Sequence, residues 1–422
     1  MKDRPDYLAI HSWALYDFAN TIFSMNVVSL YFALWVTVDK GGEDILYSFA
    51  LSGSMLAVAV SVPVFGALSD QTRRRVGPLT VLTLVAVFCT GAIGFADNVF
   101  AGLVLFAFAN YGYQSSLVFY NAMLPHISRG ASLGIVSGYG VALGYLGSIA
   151  GLLMVKPFVN QAGRPAAFLP TAAMFLVFSI PCFVFVKDPS PDYSRKIQVG
   201  QAFRTLKQTV LDAGKYRNLF HFILIHFLVL DVVNTVIAFM SVYANKVIGF
   251  NDSEISTFLI VCTAAAMVGS YLIGWLVKKK GTLWSYWLVL WLWAAALACA
   301  AASPGETMFW AVGPLAGMGM GGVWVVSRPI LVELAPPEKI GEFFGAYGLA
   351  GKMASIIGPL LLGTIVLVLE KEPTLKYRAA VFALLVLAMV AIFLFHALDR
   401  RLTLERCAQR AAGSSGLDSD GE

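Results

Sequence analysis

Two polar triplets interrupt stretches that are otherwise apolar: Asp17, Asn20 and Thr21, then Asp231, Asn234 and Thr235. Each follows the spacing i, i+3, i+4, so on a helix its members share one face. A carboxylate inside an apolar helix is costly and needs either a partner or a task. Arg328 and Lys352 are the basic residues within comparable stretches, and two acids with two bases can offset one another's desolvation. Such a set could grip a zwitterion, with Asp17 or Asp231 facing an ammonium group and Arg328 or Lys352 a carboxylate. Desolvated carboxylates at Asp17 and Asp231 could instead load a proton on one side of a membrane and release it on the other. The structural alternative is a buried ion-pair network that holds helices in register. Asn20, Asn121 and Asn234 are the amides expected to complete a site, with plain interhelical hydrogen bonding as their alternative.

These residues need helices to position them, and the composition supplies a bilayer around those helices. With 58% hydrophobic and 13% charged residues over 422 positions, and a mean hydropathy of +0.73, the chain is too apolar for a soluble globular protein. Its net charge of +5 lies in short clusters between apolar runs, which excludes a nucleic-acid partner. Five cysteines show neither paired nor metal-ligand spacing, and no metal is expected. Twelve runs are long enough to cross a bilayer, at 8–36, 45–69, 77–97, 99–124, 131–156, 166–187, 218–245, 253–277, 282–302, 307–332, 341–369 and 377–397. With the N-terminus inside, 21 Lys and Arg fall in inside segments and 7 in outside ones, so both termini are expected in the cytoplasm.

The predicted organisation is all-α: a six-helix bundle over 1–187, a cytoplasmic linker over 188–217, a second bundle over 218–398 and a disordered cytoplasmic tail over 399–422. In the linker, Val199, Phe203, Leu206 and Val210 recur at helical spacing among basic residues, as in a helix lying on a membrane surface or packed on the protein. The two bundles repeat each other. Gly66, Tyr139 and Gly140 map to Gly274, Tyr347 and Gly348 at an offset of 208, and Asp17 maps to Asp231 at 214. Six helices repeated in the same sense imply two pseudo-symmetric halves about an axis along the membrane normal.

The phrases WALYDFANT at 13–21, VFYNAMLP at 118–125, SGYGVALGYLG at 137–147, DVVNTVIAF from Asp231 and APPEKIGEFFGAYGLAGKMASIIGPLLLG at 335–363 make the chain resemble a major facilitator superfamily transporter. They are similar to those of its vacuole effluxer-like branch, whose fungal members export amino acids from the vacuole. The resemblance implies a cavity lined by spans one, four, seven and ten. It also implies a conformational latch at Gly66, Asp70, Arg73, Arg74 and Arg75, with Asp70 able to accept from the free amides of a neighbouring helix. Gln71 and Arg73 depart from the usual pattern, and Lys278 stands where the second half would repeat Asp70. Glycines crowd spans five and eleven at packing spacing, and for the repeated set the resemblance implies helices that rock against each other.

Neither a nucleotide-hydrolysis loop nor a protease or hydrolase motif competes, so no enzyme and no cofactor is expected. The expected function is secondary active transport of a small polar solute, an amino acid or related metabolite, by alternating access, with proton coupling as one energy source. A membrane receptor that kept the transporter fold is the alternative. The expected partners are a small-molecule substrate and the lipid bilayer, the expected unit is a monomer, and the expected location is a bacterial inner membrane.

Overall fold

A computed structural model of the chain describes residues 6–127, 132–188, 200, 215–336, 340–372 and 374–415. No strand occurs among them. Twelve long helices carry the fold: α1 Tyr7–Asp39, α2 Asp44–Thr72, α3 Val76–Ile93, α4 Val99–Ile127, α5 Ser132–Ala162, α6 Phe168–Phe185, α7 Arg217–Ile248, α8 Asp252–Lys280, α9 Thr282–Ala302, α10 Glu306–Leu334, α11 Ile340–Val368 and α12 Leu375–Ser415. Eleven are long and apolar enough to span a membrane. The remaining one, α4, has 29 residues, but its apolar run is broken by Asn110, Tyr111, Tyr113, Gln114, Ser115 and Ser116. Polar groups at that depth must face protein or water rather than lipid.

Local chemistry marks the helix ends. Asp6 accepts from the Ala9 amide at the start of α1, and Asn251 with Glu254 forms a capping box at the start of α8. Gly281, with φ +92°, turns the chain from α8 into α9 in a conformation that side chains disfavour. Both α1 and α7 end in wide turns, Trp35–Asp39 and Ala244–Ile248, and α1 carries a longer wide segment at Ser24–Tyr31. Widened turns rotate the residues beyond them.

The halves repeat their packing. In the first, α1 packs on α5 and α6, α3 on α4 and α6, and α2 on α4. In the second, α7 packs on α11 and α12, α9 on α10 and α12, and α8 on α10. Between them, α2 meets α11, α5 meets α8, and α1 meets α7. Gly140, Gly144, Gly147 and Gly151 of α5 face α1: a Cβ at Gly147 would strike the Phe18 backbone, and one at Gly151 would press on Ile22. They set a close contact within one bundle. WALYDFANT is anchored there too, with Trp13 stacked on Tyr120 and the buried Tyr16 hydroxyl bonded to Thr83 and Ser116.

One expectation about the connecting segments changes, and one is left untested. The stretch 399–415, expected to be disordered, continues α12. Its Arg, Leu, Glu, Ala and Gln are good helix formers extending a helix already nucleated, and Asn218 at the start of α7 donates to the Glu405 carboxylate at 3.0 and 2.9 Å. The expected linker helix with Val199, Phe203, Leu206 and Val210 lies outside the described residues, as does 416–422.

Candidate functional site

Between the halves lies a cavity of about 550 Å³, within the roughly 300–1,000 Å³ usual for small-molecule sites. Helix α4 gives it Asn110, Tyr113, Gln114, Leu117 and Asn121, one helical face. Thr21, Ser24 and Ser29 come from α1, Tyr145 and Ser148 from α5, Asn234 from α7, Trp293 from α9, Trp324 from α10, and Tyr347 and Lys352 from α11. Asn121, Trp324 and Gly348 are exposed and lie toward the face where the chain's N-terminus sits, so the cavity opens there.

The opposite face is closed by bonds between halves. Arg164, before α6, pairs with Asp39 at the end of α1 and with Asp252 at the start of α8, reaching the latter from Nε at 3.0 Å and Nη2 at 2.9 Å. Lys246 donates to the Thr37 carbonyl at 2.9 Å and lies 4.0 Å from Asp44, which accepts from the Tyr377 hydroxyl at 2.8 Å. Deeper, Ser52 of α2 donates to the Ile356 carbonyl of α11 at 2.9 Å.

Among the sequence-expected site residues, Asn121, Asn234 and Lys352 converge on this cavity. Lys352 donates from Nζ to Gln114 Oε1 at 2.6 Å, joining α11 to α4. The other members are placed elsewhere, which corrects the expectation of one converging charge set. Asp231 is buried, and its Oδ1 accepts the Gly358 amide of α11 at 2.7 Å. Residues three apart on a helix differ by about 60°, enough to turn Asp231 to α11 while Asn234 faces the cavity. Asn20 is buried and donates to Asp17 Oδ1 at 3.1 Å. Part-buried Asp17 sits one turn from the cavity-lining Thr21, whose hydroxyl donates to the Gly144 carbonyl at 2.7 Å. Arg328 is exposed and outside the lining.

Trp293, Trp324, Tyr145 and Ser148 line the cavity and were not singled out from sequence. Aromatic and small hydroxyl residues are common in membrane spans, so their types carry little signal. Gln114 had one, because it belongs to the polar face of α4.

Four of the five residues expected to form the latch are fully described. Arg73 ends α2 at φ 56°, Arg73 and Arg74 are exposed, and Arg75 is buried with its Nε donating to Ser69 Oγ at 3.1 Å. A Cβ at Gly66 would meet open space, and the side chain of Asp70 lies outside the described residues. Asp188, just beyond α6, accepts the amides of Arg75 at 2.9 Å and Val76 at 3.1 Å at the start of α3. Asp188→Ala should lower stability by about 0.5–2 kcal/mol, the usual cost of losing such a cap, seen as a lower midpoint in a thermal melt in detergent.

This architecture, two six-helix halves around a central cavity, is shared with solved transporters. The inward-facing, unoccupied structure of a bacterial homologue of the human lysosomal transporter Spinster aligns with a TM-score of 0.74 at 14% identity, covering 95% of this chain and 98% of that one. The nucleoside transporter NupG aligns with a TM-score of 0.72 at 12% identity, covering 93% of this chain and 98% of that one. The chain is therefore a multi-pass membrane protein with the major facilitator fold. A model described as "Vacuole effluxer Atg22 like" matches residues 44–407, and the chain belongs to that family of transporters. An uncharacterised MFS-type transporter, YxiO, of Bacillus subtilis is 28% identical over 406 residues, 90% of this chain and 92% of the relative. Autophagy-related protein 22 of Kluyveromyces lactis is 23% identical over 399 residues, 84% of this chain and 79% of the relative.

Proposed function

We propose that this transporter moves a small polar solute, an amino acid or related metabolite, by alternating access. The observation that carries the reading is the asymmetry of the central cavity, open between the halves on one face and sealed by cross-half bonds on the other. The excess of Lys and Arg on the open side supports a cytoplasmic N-terminus, which makes this the inward-facing state. The cavity is completed within one chain, which supports a monomer as the working unit. The effluxer description of the family supports export.

Asp17 is the coupling carboxylate in this reading, because it is part-buried beside the cavity, whereas Asp231 is committed to an amide of α11. A proton taken up by Asp17 from an acidic exterior and released inside would drive the solute outward. The test is flux of labelled amino acids in proteoliposomes under pH gradients of both signs. Export should quicken when the exterior is acidic. Asp17→Asn should abolish that response while leaving solute exchange, and Asp231→Asn should retain it. A gradient response unchanged in Asp17→Asn sinks the coupling role, and the absence of flux for every solute sinks transport itself.

A further inference from the structure

Lys352 is the one charged side chain among the described residues lining the cavity. It is part-buried, lies near the middle of α11, and has a neutral partner in Gln114. No carboxylate among the described residues stands within salt-bridge distance of it. Asp231 is turned to Gly358, Asp17 bonds Asn20 outside the lining, and Arg328 is exposed elsewhere. A cation in such a place is costly unless an anion joins it. Gln114 offers a dipole only, and an ammonium has three donors.

We propose that the cavity takes solutes bearing a single carboxylate on an apolar or aromatic body, with Lys352 Nζ as the charge partner. This rests on the transport reading above and narrows it. One lysine neutralises one negative charge, so a dianion would leave a charge unpaired in a cavity otherwise lined by hydroxyls, amides, rings and aliphatic side chains such as Leu51, Met55, Leu230 and Ile237, which suit an apolar body. Among the described residues no carboxylate in the lining is available for an ammonium group. An α-amino group is therefore tolerated, against the amides of Asn121 and Asn234 or the faces of Trp293 and Trp324, without being required. A solute with net positive charge is repelled by Lys352. The carboxylate displaces Gln114 from Nζ, and since that bond joins α4 to α11, binding releases a tie between the halves.

The test uses the full-length protein in proteoliposomes with matched trios: alanine, pyruvate and ethylamine; leucine, 4-methyl-2-oxopentanoate and isopentylamine; phenylalanine, phenylpyruvate and phenethylamine. L-Lysine is the cationic control. Both carboxylates of at least one trio should bind and cross, with the amine and L-lysine at least tenfold weaker. Lys352→Gln should weaken both carboxylates about 10- to 100-fold, as expected for losing a charged hydrogen bond, and Lys352→Arg should restore part. Gln114→Leu removes the competitor and should strengthen carboxylate binding severalfold, a gain that a purely structural Lys352–Gln114 pair would not give. Amines binding as well as carboxylates, or unchanged carboxylate affinity in folded Lys352→Gln, overturns the proposal while transport stands. Flux of a neutral or cationic solute with none of the carboxylates overturns it equally. If no solute of any charge binds or crosses, the transport reading falls and this inference with it.

Discussion

An Arg164→Ala variant is expected to open the sealed face. Arg164 bridges Asp39 of its own half and Asp252 of the other, with side-chain exposures of 13%, 30% and 23%. Its guanidinium contacts Asp252 from two nitrogens, a geometry that lysine or water reproduces poorly. Truncation also leaves two carboxylates facing each other without a cation. Charged hydrogen bonds contribute about 1.5–3 kcal/mol, and partial exposure favours the low end of that range. A loss near 1.5 kcal/mol is about a tenfold shift from closed to open. The reporter is a cysteine at Ser52, which lies at 3% exposure against Ile356 of α11, in a background with the native cysteines replaced. An impermeant maleimide added to that face should label it about tenfold faster in the variant, with Arg164→Lys intermediate. Adding Tyr377→Phe, which removes the bond to Asp44, should speed labelling further. Unchanged labelling of folded Arg164→Ala would show that these ion pairs do not hold the face shut.

A Gly317→Val variant should lose the folded monodisperse protein altogether. Gly313, Gly317 and Gly321 stand four apart on α10, bringing its backbone directly onto α8. A Cβ at Gly317 would overlap the Cys262 carbonyl, and one at Gly321 the Ala266 carbonyl. These are backbone atoms that no rotamer change can move aside. Overpacking costs typically 1–3 kcal/mol when side chains can yield, and here α8 and α10 must separate along their length. Gly317 also lines the cavity, so separation there would deform the site. Fluorescence-detected size exclusion and thermal melting provide the measurement. Gly138→Ala is the control, since a Cβ there meets open space within a helix and should leave the midpoint unchanged or slightly raised. A normal elution profile for Gly317→Val would refute the close approach of these helices.

How much could be read before the fold was known differs from residue to residue. The twelve long helices, eleven of them apolar enough to span, and the duplication were legible because hydropathy over twenty residues and internal offsets can be read along a chain. The continuation of α12 was missed because polarity was read as disorder, although Arg400 to Ala412 are mostly strong helix formers. For the glycines, spacing announced close helix contacts but not which helices. Gly140 to Gly151 of α5 lie on α1, whereas Gly313, Gly317 and Gly321 bring α10 onto α8 and Gly358 brings α11 onto α7.

At the site, residue type and depth made Asp17, Asp231, Arg328 and Lys352 unusual, and sequence alone established that much. Their roles depended on helix rotation and on partners far along the chain. Asp231 meets the amide of Gly358, 127 residues away, and Lys352 meets Gln114, 238 residues away. A rotation of some 60° separates a side chain that lines a cavity from one that ties two helices. Hydrophobic patterning specifies that a span is buried in lipid, but only the packing of nine helices around one cavity decides which of its polar residues meets a solute.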